Sequence, residues 1–255
     1  MTDFRGRRAS FRFYQELNDF LPAGQRGRSI DYFFDGNPGI KDPIEALGVP
    51  HTEVELIIVN GRSRGFDYQL RDGDRVAVYP VFESLDISPL VKIRSRPLRQ
   101  VRFIADVHLG KLARYLRLLG FDTLYRNDYR DEEIVRQGVA QRRVILTRDR
   151  RLLYNAVITH GYYVRSVVPE EQVAEVVARF DLGGNIHPFH RCLHCNGLIE
   201  PVAKSAVLDR LEPLTARYYR EFFQCASCGK LYWKGSHYHN LLDKLNRLLE
   251  GSVSP

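Results

Sequence analysis

The four cysteines of this chain form two identical hooks, Cys192-Leu-His-Cys195 and Cys225-Ala-Ser-Cys228. Each hook spaces two sulfurs so that both can bind the same tetrahedral ion, and zinc is the usual ion for four thiolates. A glycine follows shortly after each hook, as metal-binding turns often require. The pattern therefore predicts a structural zinc site that closes the loop between the hooks.

Two other uses of the four cysteines are weaker. Two disulfides would need an oxidising compartment, but no secretory signal is recognisable, and thiols stay reduced in the cytosol. A catalytic zinc would need an open coordination position, which a shell of four sulfurs does not leave. We expect a cytoplasmic protein whose zinc builds a small domain, with its chemistry located elsewhere.

Three carboxylates are candidates for that chemistry. Asp106 ends the predicted strand 101–105, Asp131 opens a predicted helix, and Asp149 follows the predicted strand 143–147. In an open parallel sheet, ligands bind beyond the carboxyl ends of the strands. Carboxylates held together there need a hard cation such as Mg²⁺ or Mn²⁺, which suits phosphodiester hydrolysis.

The same three residues have a structural interpretation. Aspartate is a favoured N-cap, and each of the three stands at or just before a predicted helix start, where its carboxylate can accept from free amides. His108 beside Asp106 is likewise a candidate to touch metal or substrate, or a structural residue. Both interpretations stay open for each position.

Positive charge is concentrated in one region. The chain carries a net charge of +7, and residues 91–151 contain 16 Lys and Arg against 7 Asp and Glu. Such a surface favours a polyanion, because phosphates release condensed counterions when they bind cations. A solvated basic surface is the alternative. The candidate residues for binding nucleic acid, RNA if the resemblance described below holds, are Lys111, Arg114, Arg117, Arg148, Arg150 and Arg151 in this region and Lys234 near the second hook.

The alternation of strand and helix signals predicts a multidomain chain with α/β and α+β parts. Residues 1–86 predict a β-grasp, 87–99 a basic linker, 100–185 a parallel-sheet α/β domain, and 186–255 a zinc ribbon with a C-terminal helix. In the α/β part, helices are predicted over 109–119, 131–140, 150–160 and 170–180. No stretch approaches the roughly 20 apolar residues of a membrane span.

The first predicted domain resembles the ubiquitin-like sulfur carriers. The likeness rests on Val59-Asn60-Gly61 and on the run from Leu70 to Pro80, which includes the Asp72-Gly73 turn. Sulfur carriers and ubiquitin act through a free C-terminal Gly-Gly, whereas here the chain continues through Phe82-Glu83-Ser84-Leu85 to Pro255. We therefore expect this domain to dock a protein partner rather than to be activated at its end.

A second stretch, from about Arg102 to Tyr238, resembles the Mut-seven C-terminal RNase domain family. The likeness rests on the run from Phe103 to Asp122, on Ile145-Leu146-Thr147-Arg148-Asp149-Arg150, on the two cysteine hooks and on the run from Tyr232 to His237. This resemblance implies a PIN-like fold with a zinc ribbon and a metal-dependent ribonuclease site. It implicates the three aspartates as metal carboxylates and the four cysteines as zinc ligands.

PIN nucleases usually assemble four acidic residues, and for the fourth this sequence offers only Asp128 and Glu132 as candidates. The leading hypothesis is a Mg²⁺- or Mn²⁺-dependent ribonuclease or RNA-processing protein. The main rival is a non-catalytic protein that binds tRNA, ribosomal RNA or the ribosome. A toxin of a toxin–antitoxin pair is a third hypothesis, which the added domains disfavour.

Overall fold

The computed structural model describes residues 6–80 and 101–250. The chain divides into two compact units. The first unit falls within residues 1–99 and also takes in 149–163, and the second falls within 100–148 and 164–255. The predicted linker, residues 87–99, lies outside the described residues.

The described residues form twelve strands and seven α-helices. The strands are β1 (Arg7–Phe13), β2 (Ser29–Phe34), β3 (Leu56–Val59), β4 (Arg62–Arg64), β5 (Arg75–Tyr79), β6 (Phe103–Ala105), β7 (Thr123–Leu124), β8 (Val144–Thr147), β9 (Gly161–Tyr163), β10 (Ile199–Val202), β11 (Phe222–Cys225) and β12 (Leu231–Tyr232). The helices are α1 (Lys41–Ala46), α2 (Gly110–Leu118), α3 (Asp131–Ala140), α4 (Arg150–Leu153), α5 (Pro169–Arg179), α6 (Pro213–Tyr218) and α7 (Ser236–Glu250).

The N-terminal sheet has the strand order β2-β1-β5-β3-β4. Neighbouring strands are antiparallel except for β1 and β5, which run parallel in the middle of the sheet. Phe11 and Phe13 of β1, Ile44 of α1 and Ile57 of β3 are fully buried in the core against this sheet. The predicted β-grasp is confirmed.

The segment 149–163 has little regular structure of its own. Helix α4 ends at Leu153, so the prediction of a helix to His160 is wrong beyond its first turn. Tyr154 follows as the C-cap, and the side chain of Asn155 accepts from the amide of Val157 at 3.2 Å. The chain then turns into β9, whose strand assignment agrees with the sequence.

The second unit contains a parallel sheet in which β6 lies between β7 and β8. Helices α2 and α3 pack against β6, and α2 also packs against α5. The apolar face predicted for α2 is buried, with Leu112 and Leu116 inaccessible to solvent. The predicted parallel-sheet α/β domain is confirmed.

The ribbon is a three-stranded antiparallel sheet in the order β10-β11-β12. The chain that enters it lies on the end of α2, because the amides of His187 and Phe189 donate to the carbonyls of Leu119 and Leu118 at 2.9 and 3.0 Å. Gly120 makes this approach possible. Its φ is +98°, and a Cβ there would lie 2.3 Å from the carbonyl oxygen of His187.

Asp122 fastens the ribbon to the parallel sheet. Its carboxylate accepts from Nη1 of Arg143 at 2.7 Å, just before β8, and from Nδ2 of Asn196, just after Cys195, at 2.7 Å. Burial alone would raise the pKa of Asp122, but the hydrogen bonds from Arg143 and Asn196 hold that pKa below its usual value. The ionised carboxylate therefore stabilises the folded unit.

Substituting Asp122→Asn should lower the free energy of unfolding at neutral pH by roughly 2 to 4 kcal/mol, because the buried Arg143 loses its counter-charge. The loss should shrink as the pH falls below about 4. A carboxyl whose pKa is depressed in the folded state stabilises the protein above its unfolded pKa and ceases to do so once it is protonated. Urea denaturation at several pH values measures both effects.

Asp128→Asn is the matched control. Asp128 pairs with Arg126 at 2.6 Å, but both side chains are more than half exposed. The denaturation midpoint should not move for this variant, since exposed ion pairs contribute little. Equal losses for the two variants would contradict a special role for Asp122.

Candidate metal centre and carboxylate site

The four cysteine sulfurs converge on one point. All four lie within 4.8 Å of one another, with 3.7 Å between Cys192 and Cys228 and 3.4 Å between Cys195 and Cys225. A tetrahedral shell with metal–sulfur bonds of about 2.3 Å places its sulfurs about 3.8 Å apart. The arrangement therefore fits a single metal ion with four sulfur ligands.

The turns of the two hooks prepare the sulfurs to be thiolates. The amides of Cys195 and Cys228 each point at the sulfur of the first cysteine of their hook, at 3.5 Å. Asn196 follows the first hook in the left-handed region, with φ +72°. That conformation directs the amide of Gly197 to the sulfur of Cys195, also at 3.5 Å.

The sulfurs have unequal acidities in the absence of an ion. Burial opposes ionisation of Cys192, but the Tyr232 hydroxyl, 3.0 Å from its sulfur, and the nearby amides lower the pKa of Cys192 to about 6. Burial and the neighbouring sulfurs raise the pKa of Cys195 to about 12. Four thiolates this close repel one another, so a divalent cation is needed for all of them to ionise.

Arg117 anchors the first hook to the α/β sheet. The residue is 4% exposed, and its guanidinium donates to the carbonyls of Thr123 at 2.9 Å and His194 at 2.9 Å. Burial lowers the pKa of Arg117, and the sulfurs of Cys192 and Cys195 oppose that shift. The prediction that Arg117 binds RNA is therefore replaced by a structural role, since its donors are used inside the protein.

Asp106 is a buried carboxylate at the carboxyl end of the central strand β6. It is 4% exposed and accepts from the amide of Val107 at 2.6 Å and from the hydroxyl of Thr147, the last residue of β8, at 2.7 Å. Sequence analysis missed Thr147. Thr147 could have been predicted as a partner from its position, because it carries a hydroxyl at the end of the predicted strand that precedes Asp149.

The other two predicted carboxylates lie at helix starts. Asp131 is the exposed first residue of α3, and Asp149 is the N-cap of α4, where it accepts from the amide of Arg151 at 2.8 Å. Over residues 6–80 and 101–250, the four cysteines are the one group of three or more His, Cys, Asp or Glu side chains close enough to share an ion. The three aspartates Asp106, Asp131 and Asp149 do not form such a group there, and their role as a shared metal site stays a prediction.

The predicted RNA-binding cations differ in their surroundings. Lys111, Arg114 and Arg151 are exposed. Arg148 points Nη1 at the carbonyls of residues 164, 165 and 166, at 3.1, 2.5 and 2.5 Å. Lys234 pairs with Glu221 at 2.8 Å in an exposed position. The first three are the best placed to reach a phosphate backbone, whereas Arg148 holds a loop.

Asp128 and Glu132 were the candidates for a fourth acidic ligand. Asp128 is exposed and paired with Arg126, and Glu132 is exposed in the first turn of α3. His108 is also exposed, beside the buried Asp106. None of these positions shows a feature that selects it as a ligand.

The hydropathy of the helices bears on membrane insertion. Across the described part of the chain, no helix combines the length and the apolar character that crossing a bilayer requires.

Comparison with known proteins gives two family matches. Residues 101–245 match the Mut7-C RNAse domain, and residues 6–86 match the Mut7-C ubiquitin domain. None of the curated proteins matches significantly. Among solved structures, the small archaeal modifier protein 1 of H. volcanii shares 18% identity over 30% of this chain and 100% of its own, with a TM-score of 0.25, too low to argue a shared fold. The first match alone spans more than half of the sequence, and the chain therefore belongs to the Mut7-C RNAse domain family, with a Mut7-C ubiquitin-like domain at its N-terminal end.

Proposed function

We propose that this protein is a metal-dependent ribonuclease that hydrolyses RNA phosphodiester bonds at a site built around Asp106. The match to the Mut7-C RNAse domain supports an RNA-related function. The single observation that carries the proposal is the burial of an aspartate at the carboxyl end of the central parallel strand. That edge is where open α/β sheets bind their ligands.

The surroundings of Asp106 suit a cation. Burial disfavours an unpaired charge, and the two hydrogen bonds from Val107 and Thr147 use only part of what a carboxylate can accept, which is about four bonds. The remaining lone pairs belong to carboxylate oxygens, which are the hard ligands that Mg²⁺ and Mn²⁺ prefer. Asp131 and Asp149 are the proposed partners of Asp106 in holding the ion.

Such an ion supplies Lewis acidity and a water of lowered pKa. The protein contributes the positioning. The Thr147 hydroxyl holds one oxygen of Asp106 and the Val107 amide holds the other, so the carboxylate is fixed before substrate binds. Fixed negative charge of this kind costs no reorganisation during the reaction.

Exposed cations would hold the RNA backbone. Lys111 and Arg114 lie three residues apart on α2 and so share one exposed face, and Arg151 is exposed on α4. We propose tRNA or ribosomal RNA as the substrate class. The ubiquitin-like domain offers a further surface for a protein partner.

The metal proposed for the four cysteines is structural zinc. Four sulfurs at these separations match the tetrahedral thiolate shell of zinc and leave no open position for water. Their ligand role requires reduced thiols, which are usual in the cytoplasm.

A non-catalytic RNA-binding protein is the second candidate function. Asp106 and Asp149 both accept from amides at helix starts, which is the behaviour of ordinary N-caps. In that case the exposed cations would retain RNA, and the carboxylates would serve the fold alone.

The ribonuclease proposal predicts that Asp106→Asn lowers the rate of RNA cleavage in Mn²⁺ by about 100-fold or more, because the ion loses its buried counter-charge. The measurement is cleavage of RNA that co-purifies with the full chain, with Mn²⁺ or EDTA. Asp181→Asn is the control, since Asp181 is exposed and Asn tolerates its φ of +47°. RNA retention without cleavage by the wild type would favour the second candidate.

The zinc proposal predicts one zinc ion per chain and its loss in Cys195→Ser, measured by elemental analysis. Thermal unfolding should begin at a clearly lower temperature in this variant, because structural zinc contributes on the order of 10 kcal/mol in small zinc domains. An unchanged melting curve, or a wild type purified with reduced thiols but without metal, would count against the site.

The RNA-binding proposal predicts that Lys111→Ala/Arg114→Ala weakens RNA binding and reduces its salt dependence. The slope of log K against log salt should become shallower by about 1.4, since each phosphate contact contributes about 0.7 for single strands. Arg28→Ala/Arg62→Ala removes two exposed cations from the other unit and should leave the slope unchanged. The same change in slope for both pairs would show that only net charge matters.

A further inference from the structure

The segment 149–163 belongs to the Mut7-C RNAse match by sequence but to the compact unit of the ubiquitin-like domain by contact. We infer that the ubiquitin-like domain binds this segment through its residues 19–20 and 48–53 and thereby positions Asp149. We call this set of contacts the clasp. The role of Asp149 rests on the proposed ribonuclease function. The existence of the clasp does not.

His51 binds the middle of the segment. It is 7% exposed, and its Nε2 lies 2.8 Å from the carbonyl oxygen of Ile158 while its Nδ1 lies 2.5 Å from Oε1 of Glu45. Both ring nitrogens of His51 therefore have a polar partner within hydrogen-bond distance, one on the segment and one on helix α1. His51 thus ties Ile158 to helix α1.

Two more hydrogen bonds hold the segment on either side of Ile158. The hydroxyl of Tyr154 donates to the carbonyl of Gly48 at 2.6 Å, and the amide of Tyr163 donates to Oε1 of Glu53 at 2.6 Å. The partners Gly48, His51 and Glu53 lie within six consecutive residues. One short stretch of the ubiquitin-like domain thus holds the segment at three places.

Arg150, the residue next to Asp149, forms a fourth attachment. Its guanidinium stacks over the rings of Phe20 at 5.0 Å and Tyr163 at 5.1 Å, and it donates to the carbonyl of Asp19 at 3.1 Å. Phe20 and Tyr163 also meet edge to face, at 5.5 Å between centroids. Arg150 therefore contacts the ubiquitin-like domain, and its binding to RNA stays a prediction.

The backbones also approach closely. A Cβ on Gly161 would lie 3.4 Å from Cβ of Thr52 and 2.7 Å from a methyl group of Leu153. Glycine at this position lets β9 lie against the stretch that carries His51. Ile158 and Leu153 are buried in the same region.

The segment has little means of ordering itself. Its one helix, α4, is four residues long, far below the length at which an isolated helix is stable in water. Its attachments to residues 19–20 and 48–53 therefore contribute to its fixed conformation. A ubiquitin-like fold without a free Gly-Gly end is suited to this role, because the clasp uses its side surface rather than its terminus.

The test uses the full chain with the double variant His51→Ala/Tyr154→Phe, which removes two attachments to the segment. Hydrogen–deuterium exchange of peptides covering 152–163 should become at least about tenfold faster, because removal of each hydrogen bond to a buried group promotes local opening. Peptides covering β1 and β5 should keep their protection. Unchanged exchange over 152–163 would overturn the clasp.

Tyr68→Phe is the matched control. It also removes a tyrosine hydroxyl bond within the first unit, to Asp74 at 3.0 Å, in a part of the β-grasp that does not hold the segment. Exchange over 152–163 should stay at the wild-type rate in this variant. Equal acceleration in both variants would show a general loss of stability and would also overturn the clasp. If the double variant does not fold, Tyr154→Phe alone should give a smaller acceleration confined to the same peptides.

Positioning of Asp149 is tested by single-turnover RNA cleavage. The double variant should lower the cleavage rate constant at saturating enzyme by at least about tenfold and leave the dissociation constant for RNA unchanged. Normal cleavage despite faster exchange would overturn the positioning role while leaving the ribonuclease intact. If the wild type does not cleave RNA, the ribonuclease proposal fails, and the exchange measurements still decide whether the clasp exists.

Discussion

Buried charges that must be satisfied determine how the second unit is assembled. Arg117 and Asp122 lie on either side of the turn from α2 to β7, and each reaches the first cysteine hook, Arg117 through the carbonyl of His194 and Asp122 through the amide of Asn196. Arg117 is buried and the Asp122 carboxylate is largely shielded from water, so leaving either charge without these partners would be costly. The hydrogen bonds that satisfy Arg117 and Asp122 therefore also hold the hook on the parallel sheet.

This constraint gives the metal centre a wider role than closing a loop. The first hook supplies acceptors to Arg117, and the side chain of Asn196 directly after it donates to Asp122, so the order of the hook is coupled to the end of α2 and the start of β7. In the first unit, His51 and Arg150 each have partners from separated parts of the sequence, and these contacts hold the segment after Asp149.

Sequence analysis was strongest where local pattern decides structure. The apolar spacing of α2, the helix 131–140 and the cysteine hooks agree with the structure. Sequence analysis failed where residues far away in the sequence determine the local structure. Arg117 shares a three-residue spacing with the exposed Lys111 and Arg114, and nothing local reveals that the hook covers it. Helix α4 stops after one turn, and the residues that follow pack on the ubiquitin-like domain instead of continuing the helix.

The central claim is that Asp106 holds a catalytic cation. The most direct measurement is a crystal structure of the full chain with Mn²⁺ and an RNA carrying a non-cleavable linkage, with the ion located by anomalous scattering. The account predicts a manganese ion within about 2.5 Å of an Asp106 carboxylate oxygen and beside a phosphate. RNA bound with no manganese at Asp106, at a concentration that supports activity, would contradict it.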